Sequence, residues 1–480
     1  MTAPSLVWLR QDIRLADNPA FAAAVASKRP VVVAFVLDDV TPGAWRLGGA
    51  SRWWLHHSLA AFSADLKAKG CTLVLRRGRA DAVLLELVRE IGAGAVFWNR
   101  CYEPHAVARD KTLKQALGAQ GVEVGSFSGA LMHEPWEVKT KGGEPFKVFT
   151  PFWRACQQVE MRALVSTPKK INAWDGAPSS DPLDDWELLP AKPNWAAGFE
   201  PLWAPGEAGA LQALGAFVDD RLKTYAEGRD LLGEDATSRL SPHLHFGEIS
   251  PVQVRCSVEA AVLREPALQR GADKFLAELG WRDFSANLLF NWPTLPEANW
   301  RVEFDAFAWR DDDAAFEAWT KGQTGYPVVD AGMRELWATG YMHNRARMIA
   351  ASFLIKHLLI DWRRGEKWFW DTLVDADLAN NAASWQWVAG SGADASPYFR
   401  IFNPVTQGER YDVEGDYVRR WIPELAKLDD EFIHQPWTAS ADVLEKSGVV
   451  LGENYPAPIV DHSAARARAL EAFAALRESD

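Results

Sequence analysis

Residues 31–39 read VVVAFVLDD, seven apolar residues in one unbroken run closed by two aspartates. The run is too short to cross a membrane and too rich in β-branched side chains for an isolated helix, and it suits a strand covered on both faces. Working outward, comparable runs recur at SLVWLR (5–10), CTLVLRRG (71–78), AVFWNR (95–100) and VEVGSFSG (122–129). Stretches with helical spacing separate them, such as GGASRWWLHHSLAAFSADLKAKG (48–70). Strand and helix in alternation predict a Rossmann-like, doubly wound parallel sheet over residues 1–130. No G-x-G-x-x-G follows the first strand, so a nicotinamide dinucleotide site is not indicated.

Residues 131–205 are rich in proline, glycine and aspartate and lack sustained periodicity, so they read as a long interdomain connector. From 206 to 480, segments such as ALGAFVDDRLKTYAEG, VVDAGMRELWATG and YMHNRARMIAASFLIKHLLIDW keep helical spacing, and strand alternation is missing. The expected architecture is therefore an α/β domain, a connector and an all-α domain.

Composition narrows the function. At 48% hydrophobic and 24% charged, the 480 residues describe a globular protein, with no apolar run near the length of a span. Arg10, Asp12 and Arg14 are wrong for a secretory signal, so a cytoplasmic protein without membrane contact is expected. The four cysteines form no C-x-x-C pair, which argues against a disulfide framework and a metal site. A net charge of -12 does not suggest general nucleic-acid coating, although a local basic face survives within an acidic total. The 24 tryptophans exceed what core packing ordinarily uses.

Four motifs in the helical part carry chemistry. In TSRLSPHLHFGEIS (237–250), Ser241 and Pro242 suit the N-cap and first position of a helix, whose free N–H groups can hold a phosphate; a plain cap beside a solvated arginine is the competing reading. In ELGWRDF (278–284), Trp281 can stack on a base and Glu278 can accept from a base edge, or the helix is simply amphipathic with Trp281 in the core. In MHNRARM (342–348) a helix brings Asn344, Arg347 and Met348 to one face and turns Arg345 aside, where it can meet phosphate; a solvated basic stripe is the alternative. In DADLANNAASWQW (375–387), Asn381 and Trp385 share a helix face while Trp387 lies about 200° from Trp385. Asp375 and Asp377 precede that helix near its positive end, and if buried they need partners such as Arg347.

Together with WLRQDIRLADNPAF (8–21), GQTGYPVVDAGMR (322–334), DWRRGE (361–366) and WQWVAGSGADASPYFRIFNP (385–404), these motifs resemble the DNA photolyase/cryptochrome family over about residues 5 to 465, most closely a bacterial cyclobutane-dimer photolyase of the class I/III branch. The resemblance implies a noncovalent FAD, kept reduced, in the helical domain. Tyr225, Thr237, Ser238, Arg239, Leu240 and Ser241 would surround its phosphates and ribitol, with Phe275 and Arg282 nearby. Asn344, Arg347, Asp375, Asp377 and Asn381 would line the isoalloxazine, with Asp375 paired to Arg347 and Asn381 facing N5. Trp385, Trp362 and Trp309 match the family's hole-carrying triad, in order from flavin to surface.

The implied reaction is light-driven repair of cyclobutane pyrimidine dimers by an electron from reduced FAD, on a nucleotide flipped from the duplex as photolyases are known to do. Glu278, Trp281, Asn344, Met348 and Trp387 match the residues around such a lesion, and Arg229, Arg345, Arg400 and Gln407 match DNA contacts. An antenna chromophore, expected to be methenyltetrahydrofolate, would sit on the sheet domain near Tyr102 and Glu103. Three competitors stand beside this reading. A cryptochrome photoreceptor is disfavoured by asparagine at 381 and by the short stretch after the last motif; a (6-4) photolyase is disfavoured by Met348, with His343 alone not restoring the histidine pattern; a dark NADH-dependent flavoenzyme lacks a dinucleotide fingerprint. A monomer with DNA as its partner, no protein partner and no metal is expected. Ser285 departs from the aromatic often found there in relatives.

Overall fold

The structure, a computed structural model, describes residues 2–478. Five strands, β1 (Ser5–Leu9), β2 (Val31–Leu37), β3 (Leu73–Arg77), β4 (Ala95–Asn99) and β5 (Glu123–Phe127), form one parallel sheet in the order β3-β2-β1-β4-β5. Helices α1 (Pro19–Ala26), α2 (Gly49–Ala68), α3 (Ala80–Ile91) and α4 (Pro104–Ala119) alternate with them. All seven residues of β2 are buried, which is why its sequence is a continuous apolar run instead of an alternating one. The Asn18 side chain accepts from the Phe21 N–H and Pro19 follows it, so DNP starts α1; such a cap contributes about 1 kcal/mol.

Beyond the sheet the structure is helical: α5 (Phe149–Cys156), α6 (Glu207–Ala216), α7 (Tyr225–Gly228), α8 (Ser241–His245), α9 (Pro251–Arg264), α10 (Gln269–Asn291), α11 (Asp313–Thr320), α12 (Pro327–Thr339), α13 (Asn344–Ser352), α14 (Trp362–Thr372), α15 (Leu378–Ala389), α16 (Pro404–Tyr411), α17 (Asp416–Trp421), α18 (Ala441–Ser447) and α19 (His462–Glu478). No described helix is long and apolar enough to cross a membrane.

The chain divides into two compact units. The first holds the chain up to Lys223, Ser238–Pro293 and Val374–Ala379; the second holds Thr224–Thr237, Thr294–Leu373 and the chain from Asn380 onward. The boundaries read from the sequence at 131 and 206 both fall inside the first unit. Two features hold that unit together. The stretch from 131 to 205 is not wholly irregular, since α5 forms there and its Phe149 and Phe152 pack on Trp281 and Phe284 of α10. Arg14, fully buried, donates to the carbonyls of Gly247, Asp17 and Gly129, each at 2.8 Å. Gly247 has φ +66 and a Cβ there would meet the Gln11 carbonyl oxygen at 2.0 Å, so only glycine lets these strands of backbone meet.

Candidate functional site

The motif TSRLSPHLHFGEIS, which lies in the first unit from Ser238 onward, divides into two halves. The second half is structural: Glu248 accepts from Trp54 Nε1 at 3.0 Å and pairs with His243, and Ser250 forms a capping box with Gln253 at the start of α9. The first half turns sharply, with Arg239 held at φ +53, a conformation uncommon for a residue with a side chain. The cap is displaced by one residue from the sequence expectation: Leu240 is the N-cap of α8, Ser241 is its first residue, and the Ser241 hydroxyl donates to Asp375 Oδ2 at 2.6 Å instead of capping. The hydroxyl proton goes to a carboxylate, a charge-assisted bond stronger than one between neutral groups. Asp377 lies 3.7 Å from His245 Nδ1.

Four α10 residues and the sheet domain complete this unit's candidates. Trp281 is half-buried and stacks on Phe149 with centroids 3.8 Å apart and planes 9° apart, so one indole face is committed to packing. Glu278 is 3.3 Å from Lys274 Nζ. Arg282 donates to the carbonyls of Ala130 and Leu244, which fixes its guanidinium. Phe275 is buried against Phe217 at 4.4 Å and serves the core. Gln11, Tyr102, Glu103, Arg282 and Asp377 line one small pocket of this unit. The Tyr102 hydroxyl donates to Glu134 at 2.7 Å, and burial together with that carboxylate raises its pKa well above the usual tyrosine range.

In the second unit α15 is helical as expected, and the Asn381 amide Nδ2 donates to the backbone carbonyl of Glu366 at 3.0 Å. A carbonyl can only accept, so the amide orientation follows: Nδ2 is committed, and Oδ1 is the acceptor that Asn381 has to offer. Trp385 is 3% exposed and packs edge-on against Phe369 at 5.0 Å and Trp319 at 6.3 Å. Trp362, fully buried, donates Nε1–H to Asn299 Oδ1 at 2.9 Å. Trp309 is only half-buried, beside Phe307 at 4.4 Å. Trp362 opens α14 and Trp385 packs on Gly365 of that helix, one turn further on, so the two indoles meet the same side of α14. Of the expected triad, Trp385 and Trp362 are buried and only Trp309 is partly open.

On α13 the exposed Asn344 amide reaches Met348 Sδ at 3.9 Å, which confirms the shared face. Arg347 donates to the Met342 carbonyl at 2.7 Å and lies over Tyr341. His343 precedes the helix, its Nδ1 accepting from the Arg345 N–H at 3.1 Å, which places its proton on Nε2. Tyr225 is buried and Arg229 lies over its ring; Thr237 and Gln407 are half-buried, Trp387 likewise, and Arg400 is exposed. Arg345, expected to turn aside from that face and meet phosphate, is paired with Asp230 at 2.9 Å.

Sequence reasoning passed over three residues. Glu366 is fully buried with its pKa raised well above the carboxylate range, chiefly by desolvation, and its carbonyl orients Asn381. Gln386, also fully buried, donates to the carbonyls of Leu295 and Ala298 and accepts from the Trp300 N–H, which ties α15 to the 295–300 loop. Asn299 holds the Trp362 indole. An amide between two tryptophans in WQW was the one available signal for Gln386; Glu366 and Asn299 carried none.

Comparisons with known proteins bear on this arrangement. The family model described as DNA photolyase matches residues 5–170, and the FAD binding domain of DNA photolyase matches residues 275–475. The chain belongs to the DNA photolyase/cryptochrome family. Among its relatives, a deoxyribodipyrimidine photo-lyase of Agrobacterium fabrum is 55% identical over 479 residues, covering 100% of this chain and 99% of the relative. Cryptochrome-2 of Arabidopsis thaliana is 39% identical, covering 100% of this chain and 80% of the relative. The crystal structure of a bacterial class III photolyase from Agrobacterium tumefaciens superposes with a TM-score of 0.96 at 54% identity, covering 100% and 98% of the two chains. As a photolyase/cryptochrome family member the chain carries an FAD-binding domain. Within the first unit the Ser238 hydroxyl and the Arg239 guanidinium are donors of the kind a phosphate takes, and within the second the oriented Asn381 carbonyl is an acceptor of the kind a flavin N–H takes.

Proposed function

We propose that this protein is a photolyase that repairs cyclobutane pyrimidine dimers in DNA under blue light. When bound, reduced FAD supplies the excited-state electron that opens the cyclobutane ring and takes it back afterwards. The observation that carries repair over signalling is the orientation of Asn381: with Nδ2 held by the Glu366 carbonyl, Oδ1 accepts a hydrogen bond and brings no charge. A neutral acceptor suits a reduced flavin with hydrogen on N5, whereas a carboxylate would set a second negative charge beside an anionic ring. The higher identity to a photolyase than to a cryptochrome supports the same reading.

The roles of individual residues follow the family resemblance. In the first unit Ser238, Arg239, Leu240 and Ser241 hold the cofactor's phosphates and ribitol, Asp375 and Asp377 its ring, and Glu278 and Trp281 the lesion. In the second unit Tyr225, Thr237, Asn344, Arg347 and Asn381 serve the cofactor, Asn344, Met348 and Trp387 the lesion, and Arg229, Arg345, Arg400 and Gln407 the DNA strand. Trp385, Trp362 and Trp309 carry an oxidising hole outward, and the burial of Trp385 and Trp362 against the partial exposure of Trp309 supports Trp309 as the outer end. Phe275 acts by packing. Methenyltetrahydrofolate on the sheet domain near Tyr102 and Glu103 is the antenna of this reading, the sheet and helical parts divide light harvesting from repair, and the enzyme acts as a cytoplasmic monomer.

Blue light on photoreduced protein mixed with an oligothymidylate carrying cyclobutane dimers tests the proposal, beside a (6-4) oligomer and a dark sample. Recovery of thymine absorbance only in the illuminated dimer sample is expected. Protein that binds FAD and photoreduces yet restores no absorbance would be a photoreceptor, and recovery on the (6-4) oligomer alone would reassign the lesion.

A further inference from the structure

Two arginines of the proposed DNA surface share a single carboxylate. Asp230 Oδ2 lies 2.9 Å from Arg345 Nη2, and Asp230 Oδ1 lies 3.7 Å from Arg229 Nε. Each guanidinium also sits over a ring, Arg345 at 4.3 Å from the Tyr411 centroid and Arg229 at 5.6 Å from that of Tyr225. The Leu232 N–H donates to the Tyr411 carbonyl at 2.8 Å, so the loop that bears Asp230 is tied to the ring beneath Arg345. The arginine side chains are 14% and 11% exposed, and the aspartate is the more open partner at 35%.

A partly exposed ion pair contributes little to stability, so folding alone does not account for an acid at a surface meant for a polyanion. Its effect on binding has two parts. Undamaged duplex is held by phosphate charge alone, and each anion on the surface subtracts from that attraction. A lesion turned out of the helix adds contacts of its own and requires the phosphate-binding forks at fixed positions, which favours arginines already ordered between a carboxylate and a ring. Resting on the DNA-repair reading above, we infer that Asp230 is a positioning residue for lesion specificity: it fixes Arg345 and Arg229 and penalises phosphate contact that brings no lesion.

The test measures affinities of FAD-loaded protein in the dark, across a salt series, for a duplex with one thymine dimer and for the same duplex undamaged. Asp230→Asn is expected to bind undamaged duplex about three- to tenfold more tightly at low salt, and the slope of log K against log salt should steepen by about 0.9. Its preference for the lesion should fall about tenfold, and Asp230→Glu should restore much of it. Equal shifts on both duplexes, or no tightening on undamaged DNA, would overturn the inference. Wild-type protein with no lesion preference would instead overturn the repair reading. Should Asp230→Asn purify without FAD, Arg345→Lys decides: charge is kept while fork and ring contact are lost, so preference falls at an unchanged salt slope, and an undiminished preference refutes the role.

Discussion

Gly365→Ala tests whether α14 and α15 are as close as the structure places them. In an exposed helix interior this replacement stabilises by about 1 kcal/mol, because alanine has less backbone freedom to lose. At Gly365 the new methyl carbon would stand 2.2 Å from Trp385 Cη2 and 2.6 Å from Leu354 Cδ2. Carbon atoms rest roughly 3.5–4.0 Å apart, so something has to shift by about 1–2 Å. The indole has little room, with Phe369 and Trp319 already edge-on to it. Overpacking of this sort costs about 1–3 kcal/mol, and a rigid, enclosed indole puts the case near the upper figure. The two effects have opposite signs, and the clash wins by roughly 1–2 kcal/mol. For a chain of this length that corresponds to a melting temperature lowered by about 1–4 °C, extrapolating the usual size dependence. Differential scanning calorimetry of the FAD-loaded variant reads it directly, and photoreduction should slow with the displaced Trp385. A melting temperature that rises, as helix propensity alone demands, would refute the close approach of the two helices.

Trp309→Phe should slow blue-light reduction of oxidised FAD by roughly tenfold or more, since phenylalanine is far harder to oxidise than indole; prior chemical reduction should rescue repair, and unchanged transient absorption kinetics would exclude Trp309 from the relay. Asn381→Asp replaces a neutral amide held on a carbonyl with a group that repels both that carbonyl and an anionic ring. The two-electron midpoint potential should fall by roughly 30–60 mV, read by spectroelectrochemistry, and a rise would contradict the assigned orientation. His343 is buried and its pKa is pushed down to about 4, chiefly by desolvation, against an ordinary 6.5. The unfolded chain therefore binds the extra proton first, and stability present above pH 6.5 is lost as pH falls towards 4, by up to roughly 3 kcal/mol. His343→Asn keeps an N-cap for α13 and should flatten this part of the denaturation-against-pH curve; an identical curve would mean that His343 is not buried as a neutral ring.

The sequence by itself determined the elements. All five strands lie where runs were read; β1, β2 and β4 are buried along their whole length, and a strand covered on both faces needs side chains that tolerate burial at every position, a requirement written locally. Helical spacing located α13 and α15, and with it the pairing of Asn344 with Met348 and the face shared by Asn381 and Trp385, since residues four apart in a helix meet whatever surrounds them. Tertiary structure decided what each polar group does. Ser241 looked like a cap and became a donor to Asp375, a residue 134 positions away. Half of TSRLSPHLHFGEIS and much of WLRQDIRLADNPAF proved to be a structural lock through Arg14, Gly247 and Glu248. Arg345 found Asp230, Asn381 found the Glu366 carbonyl, and Trp362 found Asn299. These partners are distant in sequence, and a buried donor or acceptor takes whichever group the fold brings within about 3 Å, so no local pattern records the choice.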